Sequence, residues 1–533
     1  MDKGSNIIKY IFVVFVIGLI CFTAYLLVKN KRESLTQAEL DQTSKKSNIQ
    51  TDLRLAVAGF DTMNPILSKN RNVQELSRLM YEPLINLDSS YKKEYCLATE
   101  VVKTEPGVYI VKVRDDVTWS DGNKFNIYDV IFTIDLVKNG VSSIYSENMK
   151  DIVEIEQIDD YTMKLVLSHD VPFFEYNLTF PILSKAYYEN EDFVNTEKNL
   201  MPVSTGKFKV AEIINQNEIK LVRNDSYWNQ NKLPMVKEIF IKKYETIGEV
   251  YNAFKSGDID IYIVKAKNVE DYIGTIGYIK YEYKARDYDF LVLNNANEVL
   301  ANQAVRRALS LVVDRETLTA SILGAGYTPS NFSLDMGNFL YTRDLNFSAN
   351  TEEAHQVLLQ DGWEYKNNSW QKNVDGKIQR LNFNISVDSS NESRVRVVEA
   401  LREQFANFGV YLNIQYLSRD GYVNAINNRN FDIILSGVTM GFSPSVDTFF
   451  ADGNLANYYN EEIRNILEEI KNTNDENVLY EKYSRIYDIY EAEAPYIGLY
   501  RNTESIILNQ GLVGNIVPNT FNIFYNIEKW YRQ

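Results

Sequence analysis

The sequence is poor in the residues on which most catalysis and metal binding rest: 533 residues hold two cysteines and two histidines. One cysteine, Cys21, lies in an apolar N-terminal run, so Cys96 has no evident partner and no disulfide framework exists. Cys96, in Tyr95-Cys96-Leu97-Ala98, reads as a small buried apolar residue. His169 and His355 fall in different expected lobes, which argues against a histidine metal site or a Ser-His pair. No G-x-x-x-x-G-K-[ST], H-E-x-x-H or G-x-S-x-G pattern occurs. Acidic doublets such as Asp159-Asp160 and Glu461-Glu462 read as solvated surface. These absences exclude the familiar enzyme classes and imply no cofactor, no metal and no catalytic residue.

What is present begins at the N-terminus. Tyr10 to Val28 carries no charge and is followed by Lys29, Lys31 and Arg32. As a helix it spans roughly 28 Å, close to the hydrocarbon core of a bilayer. A secretory signal is the competing reading, but no A-x-A cut closes the run; lipidation at Cys21 competes too, but the bulky Ile20 precedes it. We read residues 1–29 as an uncleaved single-pass anchor and 30–51, rich in Ser, Lys, Gln, Thr and Asp, as a flexible linker. The flanking charges are nearly tied, so they do not orient it. Residues 1–50 carry net +3 against −16 for the chain, which leaves −19 for the rest. That balance disfavours nucleic acid as a partner, because like charges repel.

The remaining 480 or so residues are too many for one core, so two or three lobes are expected. Alternation marks strands at 53–58, 108–113, 163–167 and 219–222, and Val73, Leu76, Leu79 and Met80 fall at helical spacing. Further on, Phe290–Asn294 reads as an apolar strand, Gln303–Val312 as a helix, Asp314 as an N-cap and Glu352–Gln360 as a helix. Strand, helix and strand follow at 381–387, at 398–408 before Gly409, and at 410–414. The order implies βαβ units. The 37 tyrosines are as well explained by base composition as by a recognition surface.

Several segments, taken in order, resemble family-5 extracellular solute-binding proteins of ABC transporters, the oligopeptide- and dipeptide-binding class. They are Asn64-Pro65 with Leu79-Met80-Tyr81-Glu82-Pro83-Leu84; Val113–Gly122, which contains Trp119-Ser120-Asp121-Gly122, leading into Tyr128-Asp129-Val130; Ser204–Phe208; Leu221–Trp228; Phe254–Asp260; Asn302–Leu318 with Arg306-Arg307; and Ala494–Ile497. Trp119–Gly122 itself reads as a tight turn, Asn224–Trp228 as a loop pinned by aromatics, and Arg306-Arg307 as a helix surface or an inter-lobe brace.

The resemblance implies an α/β fold, a two-lobed periplasmic-binding-protein-like (type II) clamp with an extra β-rich subdomain. Its expected divisions are 52–285 for the first lobe, with the subdomain at about 88–200, 286–495 for the second lobe, and 496–533 for a return to the first. It further implies a peptide ligand, ABC permease and ATPase partners, and a globular domain on the extracytoplasmic side of the cell membrane. In peptide-binding members an aspartate in a loop after a second-lobe strand, before a D-P motif, holds the ligand amine. Phe431–Gly437 is similar to that strand, but Ser443-Pro444 stands where Asp-Pro is expected and the nearest acid is Asp447. Asp447, Met440, Phe442 and Asn64 are therefore the expected ligand contacts, with a helix N-cap as the alternative for Asp447. Other functions left open are an oligosaccharide binder and a tethered receptor that senses peptide without transport; two histidines argue against a nickel binder.

Overall fold

The computed structural model describes residues 51–265, 277–343 and 347–533. The expected anchor and nearly all of the linker lie outside the described residues. Among the described residues no helix is long and apolar enough to cross a membrane.

The first lobe starts with the strand Asp52–Ala58, which runs parallel to Glu238–Tyr244 at the edge of a four-stranded sheet completed by Glu218–Arg223 and Phe208–Ile214. The helix Ile247–Ser256 buries Val250, Ala253 and Phe254 against Ala56 and Ala58 of that first strand. A Thr246/Glu249 capping box starts it, and Gly257, at φ 82°, ends it in the left-handed region where glycine is unstrained. Just beyond, Asp260 accepts from the backbone N and side chain of Arg54, both at 2.7 Å, so the Phe254–Asp260 segment serves the fold.

A second, antiparallel sheet of the strands Ala98–Glu105, Val108–Val113, Thr162–Leu167 and Ile152–Gln157 packs on the same core. Trp119-Ser120-Asp121-Gly122 is a turn, with Gly122 at φ 91° and its N–H on the Trp119 carbonyl at 2.9 Å. Trp119 Nε1 donates to Asp129, which closes the capping box of the helix Ile127–Asp135 with Asn126 and also accepts from Lys185 N. Asn224–Trp228 is pinned as expected: Tyr227 and Trp228 both donate to the buried Glu82, and so does Cys96 at 3.1 Å. Burial, reinforced by Glu82, pushes the Cys96 thiol well up.

The second lobe is built on a seven-stranded mixed sheet, in the order Ile261–Lys265, Tyr496–Asn509, Tyr278–Leu293, Ile433–Thr439, Asn382–Asp388, Tyr411–Leu417, with Tyr327–Pro329 added beside Tyr496–Asn509. Asn382–Asp388, the helix Glu392–Phe408 and Tyr411–Leu417 form the expected βαβ unit, its strands parallel. Strand side chains alternate, so each face carries its own core. Leu291, Leu293, Ile433, Leu435, Ile497 and Leu499 meet the helices Gln303–Val312 and Glu392–Phe408 on one face. Phe290, Val292, Ile434 and Tyr496 meet an aromatic cluster with Phe332, Phe449, Tyr483, Tyr487 and Tyr490 on the other. Much of the tyrosine excess is thus core. Arg306 is buried and donates to the carbonyls of Glu493, Leu300 and Ala301, while Arg307 pairs with Glu353 at the surface; every partner lies in the second lobe, so neither arginine braces one lobe against the other.

Two strands join the lobes. Tyr278–Leu293 has 16 residues and Tyr496–Asn509 has 14, and they pair antiparallel. At one end Tyr283, Ile506 and Leu508 belong to the first lobe's core; at the other Leu291, Leu293 and Ile497 belong to the second's.

Candidate functional site

The pairing of the two shared strands breaks where the lobes meet. Register runs from Tyr278↔Asn509 to Lys284↔Thr503 and resumes at Tyr288↔Arg501, leaving Ala285, Arg286 and Asp287 opposite Asn502. Extra residues in one strand bend it and re-aim its side chains. On the other flank the Arg286 carbonyl accepts from Met440 N at 3.0 Å, and its Nη1 donates to the Met440 carbonyl at 2.9 Å. Asp287 accepts from the Thr439 hydroxyl at 2.6 Å and from Asn502.

A cavity of about 380 Å³ opens beside this irregularity, between the lobes. Its first-lobe wall is the helix Arg71–Ser77 and the residue that ends it: Arg71, Glu75 and Arg78 share one face because their spacing is close to whole turns. The helix is placed by Asn70, whose side chain accepts from Asn72 N and donates to the Ala58 carbonyl, tying it to the end of the first strand. Tyr145 and Phe521 add to this wall; Phe442 and Thr439 come from the second lobe, and Ala285, Arg286, Asp287 and Glu504 from the shared strands.

The cavity is charged. Arg71 holds Glu504 through both Nη atoms, one at 2.6 Å, and that bonding raises its pKa. Arg78 lies 4.3 Å over the Phe521 ring, Phe521 meets Phe442 edge to face at 4.9 Å, and Arg286 lies 4.4 Å over Phe442. Cations favour ring faces, so this chain of contacts links the lobes. Arg78 and Arg286 form no ion pair among the described residues, and burial lowers the pKa of Arg286. Glu75 is 7% exposed, and burial lifts its carboxyl to about 7 against the opposing pull of Arg71 and Arg78.

Elsewhere the lobes touch through an ion pair of Lys92 with Glu476, a 2.9 Å bond from Phe339 N to the Ser90 carbonyl, and Lys103, which pairs with Asp170 and donates to the Lys471 carbonyl. A depression of about 640 Å³ lies on the second lobe alone, where Asn297 and Asn384 both donate to Asp432. Among the described residues no group of three or more His, Cys, Asp or Glu could hold a metal. His169 sits beside Ser168, and the His355 ring packs on Tyr365, Trp370 and Phe408.

The model of the bacterial extracellular solute-binding proteins, family 5, matches residues 94–459. The chain belongs to this family. The oligopeptide-binding protein AppA of Bacillus subtilis (strain 168) is 23% identical over 500 residues, covering 90% of this chain and 91% of AppA. Among solved structures, the unliganded open form of the periplasmic murein tripeptide binding protein MppA superposes with TM-score 0.77 at 19% identity, covering 91% of this chain and 97% of MppA. NikZ from Campylobacter jejuni, in complex with Ni(L-His), superposes with TM-score 0.57 at 23% identity, covering 90% and 99%. These likenesses show the two-lobed mixed α/β fold, and the family marks the protein as a solute binder and not an enzyme.

Within this family-5 binder the four expected contacts take different places. Phe442 lines the inter-lobe cavity. Met440 does not: its side chain is buried in the second lobe's aromatic core, and only its backbone meets Arg286. Asn64 is wholly buried, bonded to Asn199 Oδ1 at 2.8 Å and accepting from Ile66 N, so it orders its own loop. Asp447 lies outside the cavity lining. It is the first residue of the short helix Asp447–Phe450, whose cap position is Val446, so Asp447 is not the helix N-cap. Its carboxylate has no hydrogen bond or ion pair among the described residues and lies near Tyr483, whose hydroxyl is pushed up by burial and then by Asp447. The sequence reading passed over Arg71, Glu75, Arg78, Arg286, Glu504 and Phe521. The usable signal was the Arg71, Glu75, Arg78 spacing, a charged stripe opposite the apolar stripe that located the helix.

Proposed function

We propose that the protein captures peptides between its lobes and delivers them to an ABC importer, held on the outer face of the cell membrane by residues 10–28. One observation carries the peptide reading. Ile433–Thr439 pairs along its length with Asp287–Leu293, but its other edge pairs with Asn382–Asp388 only at Ile433 and Ile434. Among the described residues, main chain toward Thr439 is therefore left with no partner strand on that edge, at the brink of the inter-lobe cavity. An extended peptide added there gains hydrogen bonds that do not depend on its side chains, which suits a binder of varied sequences. AppA and MppA, named for oligopeptide and murein peptide binding, support the same reading. No phosphate-binding loop is present in the sequence, so ATP hydrolysis falls to partner chains.

The test is mass spectrometry of small molecules that copurify with the full chain, followed by thermal shift with a tripeptide library, maltotriose and nickel–histidine. Copurified peptides and a rise in Tm with peptide alone uphold the proposal. A rise with maltotriose or nickel–histidine and none with peptides overturns it.

A further inference from the structure

The acids of the inter-lobe cavity are unequally served. Glu504 has both Nη atoms of Arg71, and Asp287 has Thr439 and Asn502. Among the described residues Glu75 Oε2 is buried and has no hydrogen-bond partner, and the carboxyl's hydrogen-bonding help comes only from the Ile523 backbone N–H. Its neighbours are engaged elsewhere. Arg71 Nε stands 3.9 Å from Oε1, too far for a hydrogen bond, and Arg78 is stacked on Phe521 with its Nη1 on the Thr179 carbonyl. The Tyr145 hydroxyl donates to Gln74. A buried carboxylate with an unused acceptor is costly, and a charged donor brought by a ligand removes that cost.

We infer that Glu75 receives the ammonium group of the bound solute, so that the first lobe reads the free amine of a peptide. The inference rests on the peptide reading above and assigns which end is recognised and by which lobe. It also transfers the role expected of Asp447 to a residue that lines the cavity.

Proton linkage follows from the same geometry. The groups facing Glu75 are Arg71 and Arg78 from its own segment, Tyr283 and Glu504 from the shared strands and Tyr145 from the first lobe, with Arg286 and Asp287 across the cavity. With its carboxyl near 7, Glu75 must lose a proton to accept an ammonium at pH 6. Affinity for a free-amine peptide should then fall roughly five- to tenfold from pH 7.5 to pH 6, after allowing for the amine's own titration.

The experiment is calorimetric titration of the full chain with trialanine and N-acetyl-trialanine, for wild type, Glu75→Gln and Asp447→Asn, at pH 7.5 and 6.0. The wild type should prefer trialanine by about tenfold or more at pH 7.5. Glu75→Gln should erase that preference, Asp447→Asn should keep it, and acidification should weaken trialanine but not the acetylated peptide. Equal wild-type affinities, a preference that survives in Glu75→Gln, or one lost in Asp447→Asn overturns the inference and leaves peptide binding intact. Binding of neither tripeptide removes the peptide reading and the amine reader together. Should ligand-free melting show that Glu75→Gln does not fold, the wild-type pH comparison decides: a pH-independent preference refutes the assignment.

Discussion

Replacing Asp335 by Asn would leave a cation without its counter-ion in the interior of the second lobe. Arg501, on the shared strand Tyr496–Asn509, donates from Nε to Asp335 at 2.9 Å, and both side chains are fully buried. Asp335 also accepts from the Ser330 hydroxyl at 2.9 Å and from Asn331 N at 2.7 Å, and it thereby closes the turn that presents the Phe332 and Ser333 carbonyls to Arg501 Nη2. The guanidinium lies 4.7 Å from the Tyr288 ring centre, just past the strand irregularity. Breaking a buried pair by removing one charge costs about 3–5 kcal/mol. The carbonyl and ring contacts of Arg501 survive in Asp335→Asn, which places this variant near 3 kcal/mol. At about 2–4 °C per kcal/mol for a unit of this size, Tm should drop by roughly 6–12 °C in differential scanning calorimetry. The paired replacement Arg501→Met with Asp335→Leu should recover much of the loss, since apolar substitutes spare the desolvation of both ions. A drop under about 2 °C, or a double variant worse than Asp335→Asn, would refute the assignment of this pair as a charge-compensated anchor of the lobe.

Glu75 makes stability depend on pH with a fixed sign. Its folded pKa of about 7 lies above the ordinary 4.5, so its contribution is complete below about pH 4.5 and is lost as pH rises through 7. Glu75→Gln should therefore be more stable than wild type at pH 8, by up to about 3 kcal/mol, and the gap should close by pH 4; denaturant titration at both pH values checks it. Peptide at about 100 times its Kd should add roughly 2.7 kcal/mol to stability, and an unmoved Tm at that saturation contradicts the two-lobed capture of peptide. Residues 10–28 should hold the full chain in the membrane while a chain starting near Gln50 stays in the soluble fraction. N-terminal sequencing of membrane-bound protein that begins beyond Val28, or diacylglycerol on Cys21, would remove the anchor.

Much of the fold was legible where local chemistry and tertiary role agree. Asn302 caps Gln303–Val312, Asp314 caps the next turn, and Gly409 ends the helix between two parallel strands, all as the residue types indicate. The shared strand Tyr278–Leu293 was read only at its apolar end. Its first half alternates apolar and charged residues in Tyr278–Lys284, and its last four residues are apolar on both faces, because the strand leaves one lobe and enters another. A change of burial pattern inside one element looks, in sequence, like a boundary between two. The divisions expected at 285/286 and 495/496 fall within the first of these strands and at the start of the second.

The site was less legible, for a reason visible in its own residues. Arg71 and Glu504 are 433 positions apart, and neither has meaning without the other. Met440 shows a different failure, one that parity could have prevented. It has the same parity as Ile434, which faces the aromatic core, whereas Thr439 turns to the cavity; alternation along Ile433–Thr439 carries Met440 inward. Phe442, past the strand's end, is free of that parity and reaches Phe521 in the first lobe. The cavity thus draws a helix from one lobe, a strand end from the other and the irregular stretch of the strands that join them. Arg71 ties that helix to a shared strand, and the Arg78, Phe521, Phe442 and Arg286 contacts cross between lobes. A solute bound in that space meets walls from both lobes, so its binding is linked to the relative position of the lobes.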